Sequence, residues 1–248
     1  MSEEQARRVQ AQFGASAAAY VTSPLHAAGE DLDRLLAWGA ARRADRVLDV
    51  ATGGGHTALA FARIVRRVVA CDLTEPMLAA ARAHVRARGA ANVEFVSGDA
   101  DALPFRDEAF DVVTCRTAAH HFADVATAVK QMHRVLRPGG SLLLQDILGH
   151  DDADANAFIL EVEKRRDPSH VRSYRAAHWK AFLRAAGSAC SARSSRASSP
   201  DIPSSPVTPT RRPSAAAPAP RSFACVLAYA EPAGPSRECQ SRSARIRI

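Results

Sequence analysis

Residues 47–58 have the sequence Val-Leu-Asp-Val-Ala-Thr-Gly-Gly-Gly-His-Thr-Ala, an apolar strand pattern that runs into three consecutive glycines. Glycines at such a point let the backbone turn tightly and let a ligand approach main-chain N–H groups. An acidic residue, Asp72, ends the next apolar segment, seventeen residues after Gly55. A carboxylate there can accept hydrogen bonds from both hydroxyls of a ribose. The two features together predict a site for an adenosine-containing cofactor, and a tight turn without a ligand is the simpler alternative.

Strand and helix patterns alternate around this turn throughout residues 1–187. The predicted strands cover 46–51, 67–72, 92–97, 110–115 and 141–147, and the apolar spacing predicts helices at 25–38, 74–85, 122–136 and 176–186. Strands that alternate with helices require crossover connections, which give a parallel sheet with helices on both faces. The expected fold class is therefore α/β, with a doubly wound, mostly parallel sheet. Ligands of such sheets bind beyond the carboxyl ends of the strands, so the strand ends are where functional residues are sought.

Residues 188–248 have a different composition. Ser, Pro, Ala and Arg make up 43 of these 61 residues, and only the segment 223–229 has a strand-like pattern. Such a sequence cannot bury enough apolar surface to offset the entropy lost on ordering the chain. We therefore expect two parts: a folded domain over residues 1–187 and a disordered, low-complexity tail over residues 188–248.

The basic character of the chain belongs almost wholly to this tail. The formal net charge is +7, but the tail has nine arginines against three acidic residues, whereas residues 1–187 have 24 basic and 23 acidic residues. A folded basic face for nucleic acid is therefore not expected. The sequence has no apolar run long enough to span a membrane, and its five cysteines include no C-x-x-C pair. These features predict a reduced, cytoplasmic protein without a zinc ribbon, and they leave the oligomeric state open.

Asp49 discriminates between the candidate cofactors. The glycine turn nearly satisfies the dinucleotide fingerprint, with Gly53, Gly55 and Ala58 in the glycine and alanine positions, but this match alone is weak evidence. Asp49 interrupts the apolar strand just before the turn, and a carboxylate buried there is costly unless it meets donors. It can brace the amides of the glycine turn, or it can bind the amino group of an amino-acid-like cofactor. This favours S-adenosylmethionine over a pyrophosphate, and a nicotinamide-dependent oxidoreductase remains the alternative.

The same segment resembles motif I of the class I S-adenosylmethionine-dependent methyltransferases. Further resemblances follow in the family's order over roughly residues 10–187, at 70–78, 98–105, 110–122 and 134–144. The chain is most similar to the small-molecule group that includes the ubiquinone/menaquinone C-methyltransferases. This resemblance implies a Rossmann-like methyltransferase fold, S-adenosyl-L-methionine as cofactor and a small-molecule methyl acceptor as partner.

The resemblance also assigns roles to individual positions. The residues implied in cofactor binding are Gly53, Gly54 and Gly55 at the methionine and ribose portion, Asp49 as a brace, Asp72 at the ribose hydroxyls, Leu73 against the adenine, Asp99 and Ala100 at the adenine amino group, and Arg116 and Thr117 at the methionine end. Ala51 stands where the family often has glycine, and its small side chain is expected to fit. Arg116 is a bulky cation where the family commonly has a small or polar residue. Its guanidinium would weaken binding of the sulfonium if it pointed inward.

Two adjacent histidines, His120 and His121, follow the fourth predicted strand on the side where an acceptor should arrive. The sulfonium already activates the methyl group, so no metal is expected, and alignment of the reactants supplies most of the catalysis. A base matters when the acceptor is a phenol, an enol or an activated ring carbon, and a histidine can serve. The alternative is that one of the pair packs in the core and the other is solvated. His170 is a weaker candidate, and Tyr20 and His26 are assigned either to an N-terminal cap or to packing.

The last predicted helix ends at Gly187, where the family would continue with two strands that close the sheet as a C-terminal β-hairpin. This sequence continues instead with the low-complexity tail, so we expect the normal hairpin to be lacking. An altered reading frame and a natural disordered extension are the two explanations. The exposed sheet edge also leaves open a cofactor-binding fold made inactive by an aberrant C-terminus.

Overall fold

The structure is a computed structural model that describes residues 3–23, 27, 29–187, 227–228 and 246–247. In chain order its elements are α1 Glu3–Thr22, α2 Glu30–Gly39, β1 Arg46–Val50, α3 His56–Ala62, β2 Arg67–Asp72, α4 Glu75–Ala87, β3 Val93–Ser97, β4 Phe110–Arg116, a short 3₁₀ helix Ala119–His121, α5 Val125–Val135, β5 Leu136–Gln145, α6 Ala153–Arg166, α7 Ala176–Ala185, β6 Leu227–Ala228 and β7 Ile246–Arg247.

Strands β1 to β5 form one parallel sheet in the order β3-β2-β1-β4-β5. The chain first builds outward from β1 through β2 to β3 and then returns to the other side of β1 with β4 and β5. The direction of winding therefore reverses between β1 and β4, and ligands of open α/β sheets bind at such a point. The doubly wound α/β fold predicted from the sequence is confirmed.

The core has two layers, one on each face of the sheet. One layer contains Met132 of α5 with Trp179 and Leu183 of α7, all fully buried against the apolar side chains of the strands. The other layer contains Leu35 of α2 and Phe61 of α3, which pack on the opposite face. Burial of large side chains on both faces explains why the central strands have nearly continuous apolar sequences.

The fifth strand begins earlier than the sequence predicts. The sequence predicts a helix over residues 122–136 and a strand over residues 141–147, but β5 starts at Leu136, directly after α5 ends at Val135. The pairing of β4 with β5 shifts in register between Phe110 and Val112, and Gly139 adopts a φ of 75°. A bulge with a left-handed glycine lets the strand continue through a sequence that would otherwise end regular structure.

Helix α1 was not predicted, because its sequence is rich in alanine and polar residues and has no clear apolar stripe. Acidic residues occupy its first turn, and Glu3 and Glu4 pair with Arg7 and Arg8 one turn later. The helix packs against α4, and its side chains and last carbonyls reach the loops at the carboxyl ends of the strands. This places α1 over the part of the sheet where a ligand is expected. Of the helix predicted over residues 25–38, the structure describes α2 at Glu30–Gly39, and residues 25, 26 and 28 lie outside the described residues.

The predicted tail, residues 188–248, lies outside the described residues except for two short strands. Leu227–Ala228 falls inside the segment 223–229 that has a strand-like pattern, and it pairs antiparallel with Ile246–Arg247. Within the described part of the chain, no strand is hydrogen-bonded to the outer edge of β5. None of the described helices is long and apolar enough to cross a membrane.

Candidate active site

The loop after β1 has an unusual backbone. We use the name glycine cradle for Asp49, residues 51–55 and Asp72. Ala51 and Gly53 both have a φ of 53°, and Gly55 has a φ of 78°. The turn therefore needs three residues in the left-handed region, where glycine is comfortable and alanine is strained. Ala51 does fit, as predicted, but in a conformation that the glycine common in the family would adopt more easily.

The three glycines of the cradle face different surroundings. A Cβ atom added at Gly54 would lie 3.1 Å from the carbonyl oxygen of Tyr20 in α1, and one at Gly55 would lie 3.1 Å from a methyl group of Val85 in α4. A Cβ added at Gly53 would meet no protein atom within 4 Å. Gly54 and Gly55 thus allow close packing of the helices. Gly53 presents its backbone to open space, which is the arrangement a ligand needs in order to approach the main chain.

Asp72 lies at the carboxyl end of β2, where its carboxylate accepts hydrogen bonds from backbone amides. The backbone N–H of Gly53 donates to its Oδ2 at 2.9 Å, and the N–H of Thr74 donates to its Oδ1 at 3.0 Å. Burial raises the pKa of Asp72, and hydrogen bonds from the backbone of Thr74, Gly53 and Leu73 and from the side chain of Thr74 act in the opposite direction. These bonds fix the carboxylate at the end of β2.

Asp49 is 1% exposed and ties three segments together. Its Oδ2 accepts from the hydroxyl of Thr52 in the cradle, and its Oδ1 accepts from the hydroxyl of Thr114 in β4, both at 2.6 Å. Burial raises its pKa to about 6, although the two hydroxyl bonds oppose the shift. Asp49 therefore contacts the glycine turn through the hydroxyl of Thr52 and not through the glycine amides. The other role considered from the sequence, binding of a cofactor amino group, stays a prediction.

The residues assigned to the adenine follow β2 and β3. Leu73 is half-buried beside Asp72, and Ala100 is buried. Asp99 accepts a hydrogen bond from the N–H of Asp101 at 2.9 Å, and the N–H of Gly98 donates to the carbonyl of Asp72 at 3.0 Å. The structure therefore brings this loop next to the acidic end of β2.

Arg116 and Thr117 leave β4 on the other side of the cradle. The guanidinium of Arg116 is paired with Asp31 of α2, at 2.7 Å from Nε and 2.6 Å from the terminal nitrogen, and Gln145 also donates to Asp31. Burial alone would raise the pKa of Asp31, but the charge and hydrogen bonds of Arg116 hold it below its ordinary value. A carboxylate thus offsets the cation that the sequence marked as a possible source of repulsion. Thr117 has a φ of 53°, a strained conformation for a β-branched residue.

The two histidines after β4 belong to a larger group. We use the name histidine cluster for His120, His121 and His170 with the carboxylates Asp146 and Asp167. The ring centroid of His120 lies 4.0 Å from that of His121 and 4.9 Å from that of His170. All five residues are buried. The structure therefore brings His120 and His121 together with the weaker candidate His170, and no described member is a solvated surface histidine.

His120 is hydrogen-bonded to the carboxylate that follows β5. Its Nδ1 lies 2.5 Å from Oδ1 of Asp146, and its backbone N–H donates to Oδ2 of the same residue at 2.7 Å. Burial alone would lower the pKa of His120, but the charge and hydrogen bond of Asp146 raise it above its ordinary value. A histidine in this setting can take up a proton and have its new charge stabilised.

His121 and His170 have the opposite electrostatic character. Burial and the neighbouring charge of His120 lower the pKa of His121 to about 3 and that of His170 to about 4. Nδ1 of His121 lies 3.1 Å from the hydroxyl of Ser169, which in turn donates to Asp167 at 2.6 Å. Both rings therefore remain neutral at neutral pH.

Helix α1 covers both parts of the site. The amide of Gln5 donates to the carbonyls of His121 at 3.0 Å and of Ser169 at 2.8 Å. The ring of Phe13 packs edge-on against His121, and the carbonyl of Tyr20 lies 3.1 Å from Nε2 of His56 at the cradle. The ring of Tyr20 packs against that of Phe13, with centroids 5.3 Å apart, so its assignment to a cap or to packing stays open, and His26 lies outside the described residues.

Several residues of the site were missed from the sequence. Asp146 ends an apolar strand, the same signal that marked Asp49 and Asp72, and could have been found. Asp167 and Ser169 lie in an irregular segment after α6 and have no pattern that marks them. Asp31 belongs to an ordinary amphipathic helix, and only the fold brings it to Arg116.

Comparison with known proteins agrees with this architecture. Residues 48–144 match the methyltransferase-domain family. The chain is 40% identical over 173 residues to the uncharacterized methyltransferase YcgJ of Bacillus subtilis (strain 168), which covers 70% of this chain and 68% of YcgJ. It is 43% identical over 107 residues, 42% of each chain, to the ubiquinone/menaquinone biosynthesis C-methyltransferase UbiE of Pseudomonas entomophila (strain L48).

Solved structures give the same result. A Bacillus halodurans protein designated a methyltransferase shares 48% identity at a TM-score of 0.63, over 64% of this chain and 69% of that protein. The structure of Bacillus subtilis YcgJ shares 39% identity at a TM-score of 0.62, over 64% of this chain and 68% of YcgJ. The chain therefore belongs to the class I S-adenosylmethionine-dependent methyltransferases. Neither the nicotinamide-dependent alternative nor an inactive cofactor-binding fold has support among these relatives.

Proposed function

We propose that the chain transfers a methyl group from S-adenosylmethionine, held in the glycine cradle, to a small-molecule acceptor that reaches the site beside the histidine cluster. The observation that carries this proposal is the arrangement of Asp72 and Gly53. A buried carboxylate, fixed by neighbouring amides at the end of β2, stands next to a glycine backbone that faces open space. Membership of the family supports methyl transfer as the reaction, and the arrangement of Asp72 and Gly53 supports the glycine cradle as the cofactor site.

The residues present fit such a cofactor. Asp72 would accept from the two ribose hydroxyls, and the open side of Gly53 leaves room for the methionine and ribose portion. Leu73, Asp99 and Ala100 would border the adenine. Thr117, with Arg116 already paired to Asp31, would border the methionine end. Asp49 acts through Thr52, because it fixes the loop that carries the cradle.

The bound cofactor supplies a methyl group on a positively charged sulfur, which leaves with the electron pair when the acceptor takes the methyl group. The chain contributes alignment of the reactants and exclusion of water, which are the main sources of rate in such transfers. His120 and His121 remain the candidate bases. Helix α1 shields the site, because Gln5 and Phe13 close it over the histidine cluster.

The acceptor is proposed as a small molecule. Support comes from the relatives named as ubiquinone/menaquinone C-methyltransferases and from the nearly equal numbers of basic and acidic residues in residues 1–187, which give no reason to expect a nucleic acid. The cytoplasmic location expected from the sequence also stays a prediction. Cys71 and Cys115 are both free thiols, which is compatible with a reducing compartment.

Calorimetric titration with S-adenosylhomocysteine tests the proposal. We expect saturable binding to the wild-type chain and a loss of about 100-fold in affinity for Asp72→Ala, because two charge-assisted hydrogen bonds to the ribose disappear. Asp33→Ala removes an exposed carboxylate in α2 and should bind like the wild type. Absence of binding to a folded wild-type chain would contradict the proposal, and quenching of NADH fluorescence on mixing would favour the nicotinamide alternative.

A further inference from the structure

We propose that Asp146 is a positioning residue that holds His120 with its Nδ1 proton toward the carboxylate, so that Nε2 of His120 is the proton acceptor for the methyl acceptor. This inference rests on the proposed function. It adds that His120 and not His121 is the base, that Asp146 acts through His120, and that the acceptor belongs to one chemical class.

The geometry around Asp146 leaves one orientation for the imidazole. Oδ1 of Asp146 faces Nδ1 of His120 at 2.5 Å and also accepts from the N–H of Ile147 at 2.8 Å, while Oδ2 accepts from the N–H of His120 at 2.7 Å. Three contacts fix the carboxylate, which is 3% exposed. An ionised carboxylate only accepts, so Nδ1 of His120 must donate, and the lone pair of the neutral ring lies on Nε2.

The hydrogen bonds of His121 are arranged differently. The hydroxyl of Ser169 gives its only proton to Asp167, so Nδ1 of His121 must donate to that hydroxyl. The lone pair of His121 also lies on Nε2. Its Nδ1 donates to a hydroxyl group, whereas Nδ1 of His120 donates to a carboxylate oxygen 2.5 Å away. Its Nε2 lies 3.9 Å from Asp167. A proton on His121 therefore gains less from its surroundings than one on His120.

His170 completes the comparison. Its Nε2 lies 3.2 Å from the hydroxyl of Ser173, and its buried Nδ1 has no hydrogen-bond partner. The charged and titratable groups that act on His120 come from every neighbouring element: Asp146 after β5, His121 beside it, Asp167 and His170 in the turn after α6, and Glu163 of α6. The charges of Asp146, Asp167 and Glu163 favour protonation of His120. The rings of His121 and His170 stay neutral, because a second positive charge next to a protonated His120 is unfavourable.

This arrangement selects acceptors whose methyl-accepting atom carries a proton. The bond between that atom and its hydrogen breaks, the atom keeps the electron pair with which it takes the methyl group, and the proton passes to Nε2 of His120. The imidazolium is then stabilised by Asp146. A phenol, an enol or an acidic carbon meets this requirement, whereas a tertiary amine or a thioether has no proton to lose. Because His120 is 4% exposed and its ring stacks on that of His170, the acceptor reaches it only when the turn after α6 moves aside.

Long-range ¹H–¹⁵N spectra of the histidine rings test the positioning role directly. In the full wild-type chain with S-adenosylhomocysteine added, we expect His120 as the Nδ1–H tautomer. In Asp146→Asn the side chain has only one oxygen, whereas both oxygens of Asp146 accept hydrogen bonds. We therefore expect loss of this tautomer and a fall in the pKa of His120 by about 1 to 3 pH units. Asp167→Asn changes a buried carboxylate of the same cluster and should leave the tautomer of His120 unchanged.

Two results would overturn the inference. The first is a wild-type His120 with its proton on Nε2, which requires no variant and so does not depend on whether Asp146→Asn folds. The second is a folded Asp146→Asn in which the tautomer and pKa of His120 are those of the wild type. Binding of S-adenosylhomocysteine is measured on the same samples. A failure of the proposed function appears as lost binding in the wild type, whereas a failure of this inference leaves binding intact.

The acceptor class is tested with 4-nitrophenol, whose phenolate absorbs visible light. At mildly acidic pH, addition of this probe to the wild-type chain with S-adenosylhomocysteine should increase the phenolate absorbance as the proton passes to His120, and His120→Asn should abolish the increase. Equal absorbance changes in the two proteins, or none in the wild type, would overturn the assignment of a protonated acceptor.

Discussion

The glycine cradle and the histidine cluster lie at the same edge of the sheet but are built in different ways. The cradle uses residues 49–72, and its main contacts involve backbone amides and short side chains close in sequence, such as Thr52 on Asp49 and Gly53 on Asp72. The cluster is assembled from three separate segments, the turn after β4, the end of β5 and the turn after α6, and α1 covers it. The cradle is thus a local structure, whereas the cluster exists only in the folded chain.

This difference suits the two tasks. A cofactor shared by a whole family needs a fixed frame, and backbone groups in a strand-turn-helix unit provide one. Side chains from distant segments can change one at a time without disturbing the sheet, which suits the part of a site that distinguishes one acceptor from another. Substitutions in the cradle should therefore alter ligand affinity and backbone strain, and substitutions in the cluster should alter packing between segments.

The largest effect is expected for Asp49→Asn in the cradle. The folded-state pKa of Asp49 is about 6, against an ordinary aspartate pKa of 3.8, so the folded protein holds more protons between these pH values and loses stability as the pH rises through the window. The ionised carboxylate then costs about 3 kcal/mol at neutral pH. Asparagine resembles the protonated form, so the advantage of the variant in the free energy of unfolding should be small near pH 4, grow between pH 4 and 6, and level off above this window.

Urea unfolding across this pH range measures the effect. A difference between Asp49→Asn and wild type that does not change with pH would show that Asp49 carries no shifted titration. Binding of S-adenosylhomocysteine should weaken in the variant, because the loop is no longer held by a charged acceptor.

Gly53→Ala tests whether a ligand contacts the backbone at Gly53, and a control variant at another left-handed glycine measures the effect of backbone strain alone. Alanine at a φ of 53° is destabilised by about 1 kcal/mol, and its Cβ would occupy the open side of the cradle. We expect the affinity for S-adenosylhomocysteine to fall about tenfold, equivalent to about 1.4 kcal/mol. Gly89→Ala is the matched control, because Gly89 has a φ of 77° and open space around its added Cβ but lies after α4, away from the cradle. Equal affinities in the two variants would contradict a ligand contact at Gly53.

Gln5→Ala tests whether the cluster depends on α1. The substitution removes two buried hydrogen bonds to the carbonyls of His121 and Ser169, so we expect a loss of about 1 to 2 kcal/mol in the free energy of unfolding. Gln10→Ala, an exposed position in the same helix, controls for the loss of a glutamine side chain. Protease cleavage within α1 should also become faster in Gln5→Ala. Similar stabilities of the two variants would show that α1 is not fastened at the cluster.

The smallest effect is expected for Ala51→Gly. Glycine tolerates the φ of 53° at this position, so relief of strain should stabilise the folded chain, but glycine also increases the entropy of the unfolded chain. The net gain should be about 0.5 kcal/mol, seen as a small rise in Tm. A lower Tm would mean that the methyl group of Ala51, which packs against the core, matters more than the backbone conformation.

The sequence predicted the cradle far better than the cluster, for the same physical reason. Asp49, Gly53, Gly55 and Asp72 are placed by a local pattern, because a strand, a glycine turn and the end of the next strand determine their positions. His120 and His121 were identified from their place after β4, but their partners lie 26 to 48 residues away. No periodicity predicts a contact over that distance. Helix α1 was missed because a polar, alanine-rich helix lacks an apolar stripe.

Ala51, after β1, and Thr117, after β4, both have left-handed backbones, and the carboxyl group of Asp49 is buried in β1. A donor molecule that binds only the folded chain raises its resistance to unfolding in proportion to the logarithm of its concentration. We therefore expect the lifetime of this polypeptide in a cell to follow the intracellular methionine supply. Starvation would shorten its half-life through faster proteolysis, before any change in synthesis of the protein.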